Sequence, residues 1–258
     1  MTKWRFFLYF AALTLQGADL APTGTLRAAF LGLNPVQAKV DPSTGAVTGP
    51  VADLVKELAG RLNIPYKFLP EPDARHVIDA LKSHDADIGF LANDPARAAE
   101  VDFSEPYLLM FNAYVVRADS AIKKTADADQ TGMRVAAVRG QTQQLFLSGS
   151  LKHAAVKIFD AMPPQAELET LLASHEIDAF GLNRQRAEQA AEASPRLRAL
   201  TDNFLTVEQD VIVEKDSNSN AKLAELNRFL MDVRSSGFVR ESIQRAKIAG
   251  VAVATEKK

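Results

Sequence analysis

The sequence contains no cysteine. This excludes disulfides, thiol catalysis and a lipid-modified N-terminal cysteine. Histidine is scarce as well: His76, His84, His153 and His175 are scattered without ligand spacing, so no transition-metal site is expected, and no cofactor is expected either. Neither sign of charge dominates. With 30 basic and 32 acidic side chains, a formal net charge of -2, the chain has no electrostatic footprint for nucleic acid. Long apolar runs are also missing, so no segment is expected to span a bilayer.

The longest apolar run, Phe6 to Leu15, follows Lys3 and Arg5 and precedes small and polar residues. That order matches a secretory signal peptide, expected over residues 1–21 with cleavage between Gly17 and Ala21. A buried N-terminal helix is the alternative reading. Export without an acylated cysteine implies a free protein, and a Gram-negative periplasm fits.

At 258 residues, 47% hydrophobic and 24% charged, the chain can bury a substantial core. Its organisation shows in an internal echo at an offset of 91 residues. "LKSHDADIGFL" (81–91) resembles "LASHEIDAFGL" (172–182), with Ser83, His84 and Asp87 recurring as Ser174, His175 and Asp178. Upstream, Gly49 pairs with Gly140, Phe68 with Phe159, Pro72 with Pro163 and Leu81 with Leu172. The repeated Ser-His-acid triplets read as turns between a helix end and a strand start.

Each copy alternates strands with helices. In the first, "LRAAFLGL" is a strand, and Val51, Leu54, Val55, Leu58 and Leu62 keep the spacing of one helix face. "YKFL", a short helix with Val77, Ile78 and Leu81, and "ADIGFL" complete the unit. The second copy has "MRVAAV", a helix from Thr142, "AVKIF", a helix with Leu168, Leu171 and Leu172, and "IDAFGL". Such alternation implies a parallel sheet flanked by helices in each copy. "PYLLMFNAYVVRADS" and "FLTVEQDVIVEKDS" lack turn signals inside and read as two crossings between lobes. The fold class expected is therefore α/β, two parallel-sheet lobes joined by two hinge crossings: residues 22–112 form the first part of lobe 1, 113–205 lobe 2, and 206–258 the hinge return and C-terminal helices of lobe 1.

Ligands of open parallel sheets bind at the C-terminal ends of the strands. By the repeat offset, Ala92 and Asn183 occupy equivalent places there. Gly140, Gln141 and Thr142 form a glycine turn entering a helix, where N–H groups and a hydroxyl can hold an anion. Asp94 reads as an N-cap and Pro95 as the first helical residue, which puts Arg97 in the first turn, the wrong end of a helix for a cation. Arg97 either waits for a ligand carboxylate, pairs internally with Asp94, Glu100 or Asp102, or faces solvent.

Three stretches, "GAVTGPVADLVKELAGRLNIPYKF", "DADIGFLANDPARAAEVDFSEPY" and "GMRVAAVRGQT", resemble the family 3 bacterial extracellular solute-binding proteins, the periplasmic receptors of polar amino-acid importers. The resemblance covers most of residues 25–258 and is most specific around Arg97, Asp102, Phe103, Ser104, Pro106 and Tyr107. It implies a two-lobed, type II-like periplasmic binding protein that captures a carboxylate-bearing solute without catalysis and delivers it to an inner-membrane ABC permease as a monomer. It also implies that Arg97 holds the ligand carboxylate, helped by Thr142. Departures bear on the ligand. The family's usual hydroxyl residues are replaced by Ala92 and Asp94, and its ammonium-binding aspartate by Asn183, which brings no charge. In "LNPVQAKVD", Asn34, Gln37 and Lys39 stand where relatives often carry a stacking aromatic. The site residues expected are Arg97, Thr142, Asn183, Ala92, Gln141 and Asn34. An amine-free organic acid or a modified amino acid suits them. The alternative is an enzyme in the same cleft, as in cyclohexadienyl dehydratases, with Asp94 the nearest candidate acid and Glu167 and Glu169 further off. Exposed charges such as those around Arg184 and Arg186 read equally as part of a permease-docking surface or as solvated faces.

Overall fold

The structure, a computed structural model, describes residues 20–255. The signal peptide expected over residues 1–21 therefore lies almost wholly outside the described residues. Strand β1 (Leu26–Leu31) is followed by a small hairpin of β2 (Lys39–Val40) and β3 (Val47–Thr48). Helix α1 (Pro50–Leu62) starts where Gly49, at φ 108°, adopts backbone that favours glycine and turns the chain tightly against Gln37 and Ala38, and Pro50 needs no N–H partner. Its apolar face, Val51, Leu54, Val55 and Leu58, is buried. Asn63 in the left-handed region ends it. Strand β4 (Tyr66–Glu71), α2 (Ala74–Lys82) and β5 (Ile88–Ala92) complete a parallel unit ordered β4-β1-β5.

After the long β6 (Val101–Arg117), the second copy repeats the pattern: β7 (Arg134–Val138), α3 (Thr142–Ser150), β8 (Ala155–Phe159), α4 (Gln165–Ala173) and β9 (Ala179–Asn183), with parallel order β9-β7-β8. Helix α5 (Arg184–Glu192), β10 (Leu197–Ala199) and β11 (Leu205–Glu214) follow. Helices α6 (Ser219–Ser235) and α7 (Phe238–Ala246) and strand β12 (Val251–Val253) end the described chain.

The two parallel units are those expected from the repeat, but the crossings do more than connect them. Strands β6 and β11 pair antiparallel with each other, β11 also with β5 and β6 with β9, so one ladder runs β4-β1-β5-β11-β6-β9-β7-β8. Seventeen residues without an internal turn signal let β6 supply partners to both units. The buried apolar clusters still divide. Two draw their buried members from residues 20–110 and 207–239, among them Phe30, Phe90, Tyr107 and Leu230. Two draw theirs from residues 113–200, among them Val115, Ala137 and Phe180.

The Ser-His-acid triplets are turns, as expected. His84 and His175 both adopt left-handed backbone, φ 58° and 56°, just past α2 and α4. The acids then make the same reciprocal pair in each copy. Asp87 N–H donates to Arg27 O and Asp87 Oδ2 accepts from Arg27 N–H at 2.8 Å. Asp178 does the same with Arg134, again at 2.8 Å. Each triplet thus pins a closing strand to the first strand of its unit. Among the described residues no helix is long and apolar enough to cross a membrane.

One carboxylate outside this scheme holds the second unit's edge strand. Asp129 accepts backbone N–H groups of Lys152, His153 and Ala154, at 2.8–3.1 Å, where the chain enters β8. These donors hold its pKa at about 2, below the ordinary carboxylate range. A depressed carboxylate stabilises the fold above its unfolded-state pKa and loses that contribution as pH falls through the folded value. Asp129→Ala should therefore melt at lower temperature than the parent at neutral pH, and the gap should close between pH about 4 and about 2. Thermal melts across that range check this; a gap independent of pH would remove the charge from the explanation.

Candidate functional site

Strand register places the ends of the two units opposite each other. Ala92, the last residue of β5, stands beside Gln209 of β11, which stands beside Leu108 of β6. Asn183, the last residue of β9, stands beside Asn112 of β6. Because β5 runs with β6 and β9 runs against it, their C-terminal ends point at each other across Leu108 to Asn112, about 13 Å at the rise of a strand. Strand β7 lies parallel beside β9, so Gly140 to Thr142 leave from the same edge.

On the β5 side the helix expected after Asp94 is one 3-10 turn, Arg97–Ala99. The cause is length: β6 already begins at Val101. Asp94 is not the N-cap expected: Ala96 holds that position, and the Asp94 carboxylate instead accepts the Ala96 N–H at 2.9 Å in the bend that leads into the turn. Arg97 is half-buried and donates from Nη1 to Ala92 O at 2.9 Å. The internal ion pair does not form. Glu100 is held by Arg75 at 2.9 Å and Lys82 at 3.0 Å, and Asp102 faces Lys215 at 3.8 Å. No carboxylate of the described residues lies within ion-pair distance of Arg97. Burial pulls its pKa down, with the field of Asp94 acting the other way. An arginine stays charged under any such shift, so this one sits desolvated with most of its donors unused.

Asn34 is half-buried two residues past Gly32, and its Oδ1 accepts the Val36 N–H at 3.1 Å, shaping the loop after β1. Gln37 is fully buried beneath it, donating to Phe90 O at 3.2 Å and to Gln209 Oε1 at 3.3 Å. At the other end of the crossing, Gln143 of α3 donates to Asn112 Oδ1 at 2.7 Å, and Asn112 donates to Leu205 O at 3.2 Å. These buried amides tie both strand ends to the crossing strands.

On the β9 side, Gly140 has φ 70°, the turn anticipated from the glycine, but its N–H is not free: it donates to Gln144 Oε1 at 3.0 Å. Gln141 is the N-cap of α3 by position, is exposed and makes no side-chain cap bond. Thr142 is half-buried at the first helical position. The first-turn N–H groups of α3 have no intrahelical partner, and α3 begins where the chain leaves the C-terminal end of β7. Asn183 is buried and caps α5, its Oδ1 accepting the Arg186 N–H at 2.9 Å.

Arg184 and Arg186 are not the exposed charges expected from the sequence. Arg184 is folded into the unit, donating to Leu200 O, Thr201 O, Asp202 O and Asn203 Oδ1. Arg186 is half-buried and donates from Nη2 to Leu33 O at 2.9 Å, the loop after β1 in the other unit. It has no ion pair among the described residues, and burial lowers its pKa. The signal that could have found it was present: Arg186 stands three residues after the cap Asn183, as Arg97 stands three after Asp94.

None of the curated protein sequences matches the chain. Solved structures do. ArgBP from T. maritima is 23% identical over 89% of this chain and 97% of its own, with a TM-score of 0.68. An amino acid ABC transporter substrate-binding protein from Streptococcus pneumoniae, bound to L-arginine, is 22% identical over 88% of this chain and 96% of its own, with a TM-score of 0.68. An ancestral cyclohexadienyl dehydratase is 25% identical over 90% of this chain and 97% of its own, with a TM-score of 0.52. These likenesses fix the fold as a two-lobed periplasmic binding protein. The model of the bacterial extracellular solute-binding proteins, family 3, matches residues 31–246, and the chain belongs to that family.

Proposed function

We propose that the chain is the capture component of an ABC importer, closing two lobes on a small solute whose carboxylate pairs with Arg97. The observation that carries this is a half-buried guanidinium at the mouth of facing strand ends, with no ion-pair partner among the described residues. A planar fork of N–H donors suits a carboxylate in two-point contact. Thr142 and the first-turn N–H groups of α3 add donors from the other side. The lobes divide at residues 22–112, 113–205 and 206–258, where the apolar clusters divide, and β6 and β11 are the hinge. The receptor works in the periplasm as a monomer, after removal of a signal peptide cleaved ahead of Leu20 and Ala21, which are buried in the lobe 1 core, and the closed form is what docks on a permease. Closure needs contacts that exist only in the closed state.

Asn183 decides the ligand class. Its oxygen is turned to the α5 N-terminus, so the site lacks a charged acceptor for an α-ammonium where the family usually has an aspartate. Amine-free carboxylates or modified amino acids follow. Turnover is disfavoured by the same geometry: Asp94, the nearest candidate acid, is engaged by the Ala96 N–H and its charge acts on Arg97. Assay of prephenate and arogenate checks this, with a measurable rate overturning the receptor reading.

Two binding outcomes test the assignment. Arg97→Ala should lose about 2 to 5 kcal/mol of binding, enough to turn a micromolar ligand into one hard to detect by calorimetry; micromolar affinity kept in that variant would refute the carboxylate pairing. In a thermal-shift screen, amine-free acids should stabilise the parent, by about 2.7 kcal/mol at a hundred times the dissociation constant. Asn183→Asp keeps the cap and should move the preference toward free amino acids. An unchanged preference would sink the role given to Asn183.

A further inference from the structure

Resting on the carboxylate reading of the same cleft, we infer that Arg186 is a second anion-pairing group, so that the solute carries two anionic groups and is a small dicarboxylate gripped from both sides. Arg97 donates to the carbonyl of Ala92, at the end of β5. Arg186 donates to the carbonyl of Leu33, two residues past β1. Strands β1 and β5 are adjacent and parallel, with Phe30 beside Phe90, so both carbonyls stand at one C-terminal edge. Two guanidinium groups from opposite units therefore converge on the same mouth.

Each uses one donor on that carbonyl and has no ion pair among the described residues. Both are desolvated, as the lowering of their pKa values by burial indicates. The neighbouring Arg184 shows what a structural arginine looks like here, with its donors spread over carbonyls and an amide of residues 200–203. Two desolvated cations facing one crevice repel each other; the field of Asp94 offsets part of this at Arg97, neither guanidinium has an ion-pair partner among the described residues, and a buried unpaired charge is costly. A zwitterionic amino acid would supply one anion and add a third cation. A dicarboxylate neutralises both guanidinium groups and needs no acceptor from Asn183, whose oxygen is already committed to the α5 cap. Arg186 also gives the ligand a grip on both lobes, which is what couples binding to closure.

The test is titration calorimetry of the full purified chain with malonate, succinate, glutarate and adipate, with propionate and butyrate as matched monocarboxylates and inorganic phosphate as a control. At least one dicarboxylate should bind about 100-fold more tightly than the monocarboxylates, and Arg186→Gln should erase about that factor while changing monocarboxylate affinity by less than about threefold. Arg186→Lys, which keeps the charge and loses the fork, should fall between. Equal loss for both ligand classes in Arg186→Gln would make Arg186 a closing contact only and overturn the proposal. So would equal affinities for mono- and dicarboxylates in the parent, or preference for phosphate. In those cases the carboxylate reading survives wherever Arg97→Gln abolishes binding; if no carboxylate binds the parent, both readings fall.

Discussion

Everything at the cleft depends on the antiparallel pairing of β6 with β11. The two strands run side by side from Val101 to Asn112 against Leu205 to Glu214. Each then spends its other edge on one parallel unit: β11 on β5, β6 on β9. The opposition of strand ends follows from this arrangement. A parallel strand docked with β6 and another docked against it must bring their C-terminal ends face to face, and the separation is set by where each register stops. Backbone hydrogen bonding thus fixes where the two sets of strand ends meet before any side chain is considered. The buried amides Gln37, Gln209, Asn112 and Gln143 lie along the same line, and a buried polar pair that is satisfied in only one arrangement holds the strand ends in register.

How much of this the sequence revealed depends on the range of the interaction. The repeat was legible because its signal is local. A helix ends, a residue takes left-handed backbone, an acid returns to the first strand, and the same three residue types recur 91 positions later. The structure shows identical bonds at Asp87 and Asp178. Apolar periodicity located the main helices and strands for the same reason. The two-residue hairpin of β2 and β3 and the short strands β10 and β12 had no such signal, since two or three residues carry no period. Joining of the two units into one ladder was also hidden. It rests on pairing between residues about a hundred positions apart, which no local pattern encodes.

The site was legible in the same uneven way. Arg97 stood out because a cation in a first helical turn conflicts with the local field, and the structure removes its internal partners one by one: Glu100 to Arg75 and Lys82, Asp102 to Lys215. The helix itself was overread. An Asp-Pro start signals a helical turn, but the strand beginning at Val101 leaves room for only one. Arg186 was missed because side-chain exposure on a polar helix cannot be read from composition: α5 carries four charges in nine residues and has a hydrophilic average, yet its first turn packs into the interface between units.

Two side chains explain why the charges at the cleft are so one-sided. In both units a side chain at or just past the end of the last strand, Asp94 or Asn183, accepts a backbone N–H of the turn that follows, and the third residue beyond it is an arginine. The short turn after Asp94 keeps a carboxylate near Arg97, whose field offsets part of the desolvation. At Asn183 the cap is neutral, and Arg186 has no ion-pair partner among the described residues. An aspartate there would satisfy the cap equally well. The difference between the two residues therefore does not act on the fold of α5. On the proposed function it acts on the electrostatics of the crevice, where a neutral cap offers no charged acceptor to an ammonium and leaves Arg186 to be neutralised by the solute. An amide in place of a carboxylate at the α5 cap keeps the oxygen that accepts the Arg186 N–H and removes the negative charge beside it, so the proposed preference for an anion rests on charge and not on a change of fold.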